Sequence, residues 1–327
     1  MSNIRFFALG GLSENGKNMY VLEIENNLYI LDAGIKYPSQ ELFGVDEIIP
    51  DFRILIRAQQ RIKGIFLSHA HEDHIGALPH ILKELNVPVY ATKFTMQVVK
   101  DRLQEENFDL ETLTLNTIHE HSIVKFGSVR FTFFNTTHNI PESIGIAIHT
   151  LQGVIVYTSD FTLEQSGNPR YQTNFKKINE IAEKNVLALL IESIGSNMHV
   201  SGGLSEELQN NIHRVFTNAS HRIIVSVFSS DLHKIQQVID ICLANNKRIA
   251  IIGRRAQRIV DIAISDGYVN IPKEKLIKLR FIDDANKNND DDIVAIVTGS
   301  RHEPFYMLQR MCKKQDRLIH IEDNDTV

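Results

Sequence analysis

Apolar positions along the chain switch between a period of two and a period near three and a half, and the switches predict the elements. Ile4-Arg5-Phe6-Phe7-Ala8-Leu9 reads as a strand closed by Gly10-Gly11, and residues 19–24 and 28–31 read as two more strands around an Asn26-Asn27 turn. The run Ile65-Phe66-Leu67 predicts a further strand, after which Ile75, Leu78, Leu82 and Leu85 fall at helical spacing. Residues 87–91 return to strand, and this β-α-β alternation marks an α/β protein. Strands follow at 122–126, 129–135, 144–149 and 154–158. Beyond Asn168-Pro169 strands alternate with helices: a strand over 186–191, a helix over 206–218 with Leu208, Ile212, Val215 and Phe216 on one face, and a strand over 223–228. A helix carrying Ile235, Val238, Ile239, Cys242 and Leu243 and a strand over 249–252 continue the pattern. The second half therefore predicts a parallel α/β layer large enough to be a domain of its own.

Composition narrows the classes. With 327 residues and 43% hydrophobic content the chain can bury a sizeable core and has length for two domains. It holds no apolar stretch of about 18 residues and no charged-then-apolar leader, so a cytoplasmic protein without a membrane span is expected. Cys242 and Cys312 both lie in apolar helical patterns, which predicts buried free thiols and neither a disulfide framework nor sulfur-held zinc. A net charge of -5 argues against non-specific coating of nucleic acid and leaves room for a local basic groove. The basic groups Lys247, Arg248, Arg254, Arg255 and Arg258, and Lys93, Lys100 and Arg102, read as solvated helix faces. The acidic run at 283–292 reads as a solvated loop rather than a cation site.

The densest chemistry is Ser68-His69-Ala70-His71-Glu72-Asp73-His74, between a strand and a helix. In an extended loop alternate residues face the same way, so His69 and His71 point together, and the turn into the helix brings Asp73 and His74 to a neighbouring point. One pair can serve one cation and the second pair another. Imidazole and carboxylate donors suit zinc or manganese better than calcium or magnesium, which prefer all-oxygen shells.

The stretch from Ser68 through Ile75-Gly76-Ala77-Leu78-Pro79 resembles the metal-binding motif of the metallo-β-lactamase fold, and more narrowly the ribonuclease J family of its β-CASP branch. The resemblance implies an αββα metallo-β-lactamase domain over residues 1–190 and a parallel α/β β-CASP insert over 191–327. It also implies roles: Asp32 behind the loop, orienting it by hydrogen bonds; His138, followed by the stiffening Pro141, as a third imidazole; Asp160 as a carboxylate shared by two metals. The metal set is then His69, His71, Asp73, His74, His138 and Asp160, with Asp73, Asp160 and Asp32 as the catalytic carboxylates. The other histidines are assigned to no metal. Gly10 to Asn18 resembles the family's glycine-rich opening with Ser13 in place of a glycine, and Ser159 likewise stands for a glycine, tolerable unless the backbone there needs positive φ.

In the second half, Phe228-Ser229-Ser230-Asp231-Leu232-His233 resembles the family's substrate-facing loop and helix start, which implies RNA or phosphate binding by Phe228, Ser229, Ser230 and His233. Ser230 reads equally well as a plain helix N-cap. Gly253-Arg254-Arg255 and the Thr298 to Pro304 stretch match further family segments, the second departing from the commoner Gln-Gly, and Glu192 falls on an acidic motif whose Thr-Asn is replaced by Ile194-Gly195. The family continues past the position of Val327, so an incomplete metal domain and second metal site, with poor solubility or dimerisation, are expected. The implied function is a zinc-dependent ribonuclease, manganese being the other suitable ion. It would hydrolyse RNA phosphodiester bonds as endonuclease and 5′-to-3′ exonuclease in rRNA processing and mRNA decay, as a homo-oligomer or with a paralogue. A catalytically impaired paralogue serving as an RNA-binding subunit of a processing complex is the alternative reading. A thioesterase or lactonase on the same fold is a third, since fold alone does not fix substrate.

Overall fold

The computed structural model describes residues 3–38, 42, 44–163, 168–197, 204–277, 291–299 and 303–327. The chain forms two compact units, Met1–Ser193 and Ile194–Val327.

The first unit opens with an antiparallel meander of β1 (Ile4–Gly10), β2 (Met19–Ile24) and β3 (Asn27–Leu31). Glu25 and Asn26 make the β2–β3 turn with φ of 50° and 67°, the two positive angles that a tight hairpin requires. The turn thus falls one residue before the predicted Asn26-Asn27, and Asn27 is already paired with Ile24. After α1 (Arg53–Arg57) the chain adds β4 (Ile62–Phe66), parallel to β3. The predicted single helix is two, α2 (Glu72–Ile75) and α3 (Leu78–Glu84), separated at Gly76-Ala77. Pro79 explains the restart, because it stands in the first turn of α3, where a missing N–H costs nothing. Then β5 (Val89–Thr92), α4 (Lys93–Glu105) and β6 (Leu115–Ile118) complete a sheet ordered β1-β2-β3-β4-β5-β6, with α4 packed on β5 and β6.

A second sheet runs β11-β10-β9-β8-β7, built from β7 (Ile123–Phe126), β8 (Val129–Asn135), β9 (Ile144–His149), β10 (Val154–Tyr157) and, after α5 (Phe175–Ala182), β11 (Val186–Leu190). Residues 186–191 were expected to open the second layer. They instead pair in parallel with β10 at the edge of this sheet. Aromatic rings join the two sheets: Phe66, stacked within its own sheet on Tyr90 at 4.7 Å, lies flat on Phe131 with centroids 4.2 Å apart, and Tyr29 meets Phe131 at 5.1 Å. Rings buried to this degree contribute about 1.5–3 kcal/mol each, enough to fix how the sheets face one another. On the outer side, Ile181 and Ile178 of α5 pack on Phe134, Ala147, Val154 and Val156. Helices therefore flank a two-sheet sandwich, the αββα arrangement expected.

The second unit contains α6 (Leu204–Asn218), β12 (Ile223–Phe228), α7 (Leu232–Ala244), β13 (Arg248–Ile252), α8 (Arg254–Ser265), β14 (Leu276–Ile277), β15 (Ile293–Gly299) and α9 (Glu303–Cys312). Its sheet is entirely parallel in the order β12-β15-β13-β14, and β15 is buried at every position. Ile224, Ala250, Ile252, Ala295 and Val297 form its core with Met311 and Ile319.

Cys242 is buried as expected, and burial pushes its thiol up to about 12, while Cys312 is exposed at the end of α9 and corrects the reading of two buried thiols. Arg102 is likewise no solvated group: it pairs with Glu47 at 3.2 Å and Glu72 at 3.4 Å. Residues 283–290 of the acidic run and 300–302 of the Thr298 to Pro304 stretch lie outside the described residues. Among the described residues no helix is long and apolar enough to cross a membrane.

Candidate metal centre

Strand direction decides where the donors meet. β3 and β4 are parallel, and β8 and β10, each antiparallel to β9, run the same way as each other. Asp32 follows β3, the Ser68–His74 loop follows β4, His138 follows β8, and Asp160 follows β10. A bond from Ile144 N to Ser68 O at 3.0 Å stitches the start of β9 to the loop and brings these ends together.

The loop residues converge as the spacing predicted. His69 Nε2 lies 3.0 Å from His71 Nδ1, which is 3.1 Å from His138 Nε2, and Asp160 Oδ2 is 4.0 Å from that last nitrogen. On the other side His74 Nε2 stands 3.4 Å from Asp160 Oδ2 and 3.7 Å from Asp73 Oδ2. Two donor groups result, His69, His71, His138 and Asp160, and Asp73, His74 and Asp160, each with its ligand atoms within 4.8 Å of one another. Tetrahedral zinc with bonds of about 2.0–2.1 Å holds its donors roughly 3.3 Å apart, so the spacing suits such an ion. Glu72 is turned away from both groups, bonded to Arg102 and to the Tyr37 hydroxyl.

Asp32 is fully buried, and its carboxylate accepts from Ser68 N at 2.8 Å, Ser68 Oγ at 2.9 Å, His74 Nδ1 at 2.8 Å and Tyr157 Oη at 2.5 Å. This fixes tautomers. His74 holds a proton on Nδ1 toward the carboxylate, so when the ring is neutral Nε2 is the lone-pair donor. Ser68 Oγ gives its proton to Asp32 and accepts from Ser159 Oγ at 2.7 Å, so it also accepts from His69 Nδ1 at 3.0 Å, leaving His69 Nε2 in the same state. Burial, then the neighbouring imidazoles His74, His71 and His138, holds His69 well below its usual range, and burial with His71 lowers His138 to about 3. Burial opposes charge on His74 as well, but the carboxylates of Asp73, Asp32 and Asp160 outweigh it and raise that group well above the usual value. Asp160 is held down at about 2, its burial outweighed by His74 and the other imidazoles. His69 and His138, held neutral beside the ionised Asp160, are in the donor state that divalent metals require, and His74 would give up its Nε2 proton to the ion, so the residues fit it.

Ser159 has φ of 56°, so the backbone does need the left-handed region there; Ser13 is the same, at 57°. Both serines occupy conformations that favour glycine. Gly34 answers another demand: a Cβ there would sit 1.5 Å from Asp73 O, so only glycine lets the turn after Asp32 touch the loop. Glu192 accepts from Phe161 N at 2.8 Å and so braces the residue after Asp160; burial raises its pKa.

Phe228, Ser229, Ser230 and His233 lie in the second unit at the β12–α7 junction. Phe228 is exposed, Ser229 is buried with its N–H on Gly299 O at 3.1 Å, and burial lowers the pKa of half-buried His233. The N-cap of α7 is Asp231, accepting from Lys234 N at 3.0 Å, in place of the capping role considered for Ser230. Sequence reading gave no role to Tyr157, Ser68 or the side chain of Asn18. Each is an ordinary strand-end or turn residue until contacts across more than 30 positions appear.

The site and fold define a metallo-β-lactamase-type protein, and the beta-lactamase superfamily domain model matches residues 31–172. The ribonuclease J beta-CASP domain model matches residues 220–327. The chain is 36% identical over 325 residues to ribonuclease J 2 of Staphylococcus saprophyticus and 35% identical to that of Staphylococcus epidermidis, covering 99% of this chain in each case. It spans 58% of the length of these curated relatives. The crystal structure of a protein of unknown function from Enterococcus faecalis V583 shares the fold, with a TM-score of 0.65 at 14% identity, over 100% of this chain and 89% of that one. Over the part it spans, the chain carries a beta-lactamase superfamily domain and a ribonuclease J beta-CASP domain and is similar to the ribonuclease J proteins.

Proposed function

We propose that the chain works within a ribonuclease J-type enzyme, a zinc-dependent hydrolase of RNA phosphodiester bonds. The observation that carries this reading is the convergence of three imidazole nitrogens and Asp160 beside a second group of Asp73 and His74. His69, His71 and His138 would hold one zinc, Asp73 and His74 the other, and Asp160 would be shared. Bound there, the ions would supply Lewis acidity toward phosphoryl oxygens and acidify water near neutral pH.

The protein's own groups prepare that chemistry. Asp32 and Ser68 keep His74 and His69 in the tautomer that aims Nε2 inward, burial keeps His69 and His138 neutral, and the Tyr157 hydroxyl, held protonated by burial and Asp32, locks the Asp32 carboxylate in place. RNA as substrate is supported by the β-CASP match of the second unit. In that unit the exposed Phe228 ring is suited to stacking on a base, with Ser229, Ser230 and His233 as neighbouring polar groups. Action in the cytoplasm, in rRNA processing and mRNA decay, as a homo-oligomer or with a paralogue, belongs to the same proposal.

The test is cleavage of 5′-monophosphorylated RNA with and without chelator. Chelator-sensitive cleavage that His71→Ala abolishes is the expected result. Binding of RNA with no cleavage under any metal condition would replace it with a non-catalytic subunit of a processing complex.

A further inference from the structure

We infer that Glu142 is a positioning residue for His138: its carboxylate and its carbonyl latch the loop that carries this imidazole to the start of α4 on the facing sheet. The inference rests on the reading of His69, His71, His138 and Asp160 as a zinc site and names what aims its third imidazole.

His138 lies on the connection between β8 and β9 in the second sheet, whereas His69 and His71 follow β4 in the first. Its Nε2 stands 3.1 Å from His71 Nδ1, so the two sheets must be held together at this edge for three nitrogens to meet. The connection does little of this with its own side chains, since Thr136 Oγ1, Asn139 Oδ1 and Ser143 Oγ are buried with no hydrogen-bond partner among the described residues. Its first arm is tied at Thr137, whose N–H donates to Thr173 Oγ1 at 2.8 Å and whose carbonyl accepts from Thr162 N at 2.8 Å. Both partners lie between β10 and β11, so this tie stays within the second sheet.

Glu142 ties the other arm across the sandwich. Its carboxylate accepts from Phe94 N at 2.8 Å, in the first turn of α4, and its carbonyl accepts from Thr92 Oγ1 at 3.1 Å. Thr92 is buried and is the N-cap residue of α4, yet it makes no side-chain cap bond. The two residues have exchanged duties. Glu142 satisfies a free N–H of the helix from 48 positions away, beside the positive end of its dipole, and the Thr92 hydroxyl, released from capping, holds the backbone of Glu142. With the Thr92 proton on that carbonyl, the Thr95 hydroxyl 3.1 Å away donates to Thr92 in turn.

The backbone shows that this latch outweighs a local preference. Glu142 sits at φ of 59°, the left-handed region that crowds any residue with a Cβ. Glycine would relieve the backbone but could not make the bond to Phe94. Two residues on, Ile144 N donates to Ser68 O at 3.0 Å, so the arm from Glu142 to Ile144 is fastened to the first sheet at both ends. His138 stands between the Thr137 tie and the Glu142 tie, and the two together set its aim.

The test loads the chelator-stripped chain with cobalt(II), whose visible spectrum reports the donors around it, and measures zinc affinity by competition with a chromophoric chelator. Glu142→Ala is expected to weaken the zinc held by the three imidazoles about tenfold or more, and to shift the cobalt spectrum toward that of His138→Ala. Glu142→Gln keeps an oxygen acceptor for Phe94 N and stays within about threefold of the unaltered chain. Glu142→Gly separates aim from stability: it relieves the left-handed backbone and so melts above Glu142→Ala, yet it loses zinc affinity as far. Thr92→Val removes the return bond alone and falls between. Unchanged zinc affinity and cobalt spectrum in Glu142→Ala overturn the assignment, as does a zinc affinity that simply follows melting temperature across the series. If His138→Ala itself leaves zinc affinity unchanged, the ligand reading fails instead, and with it the need for an aimed third imidazole.

Discussion

Asp32 in the first unit and Asp231 in the second are both buried carboxylates placed where a strand gives way to a turn, yet they do different work. Asp32 gathers four donors from three other parts of the chain, the loop after β4, α2 and the end of β10. Asp231 serves its own helix, accepting from Lys234 N and pairing with Lys234 Nζ at 3.1 Å. The contrast teaches that the metal centre is held by contacts distant in sequence and fails as a whole, whereas the β12–α7 junction is capped locally and can be altered piecemeal.

The comparison breaks most visibly at Asp32. Asp32→Ala strands the Ser68 N–H and hydroxyl, His74 Nδ1–H and the Tyr157 hydroxyl together, so chemical denaturation should show a loss of about 3–5 kcal/mol. Added zinc sharpens the contrast: at about a hundredfold above its dissociation constant it should stabilise the first unit by about 2.7 kcal/mol, with the His71→Ala chain gaining less. Asp231→Ala should cost only about 1 kcal/mol, the loss of one N-cap, and leave zinc affinity unchanged. The smallest effect is expected at Ser13, exposed and at φ of 57°, where Ser13→Gly relieves a left-handed backbone and should gain roughly 0.5–1 kcal/mol in the same assay.

Much of the donor loop was legible because its residues are adjacent: a strand, a turn and four donors within six positions carry their own geometry. Asp32, His138 and Asp160 were assigned through family resemblance, since each is a single polar residue after a strand and only the packing of two sheets brings them together. Ser159 was recognised as a departure from glycine, but the positive φ it occupies is set by how β10 must turn toward the loop. The helix α5 and the strands β6 and β15 went unread, and α4 and α8 were read only as basic helix faces. Lys93–Glu105 mixes charged with buried positions, and Ile293–Gly299 is a short apolar run with no period to tell strand from helix. Asn18 shows the limit most sharply, because its partners Asp73 and His74 lie 55 and 56 residues away.

The place of β15 between β12 and β13 has a kinetic consequence. β12 and β13 emerge first during synthesis but share no ladder, so neither can close the layer until Ile293–Gly299 arrives to bridge them. Union of β12 with β13 must wait for β15, which makes it a slow, high-contact-order step and leaves apolar strand edges open to capture by chaperones in the interval.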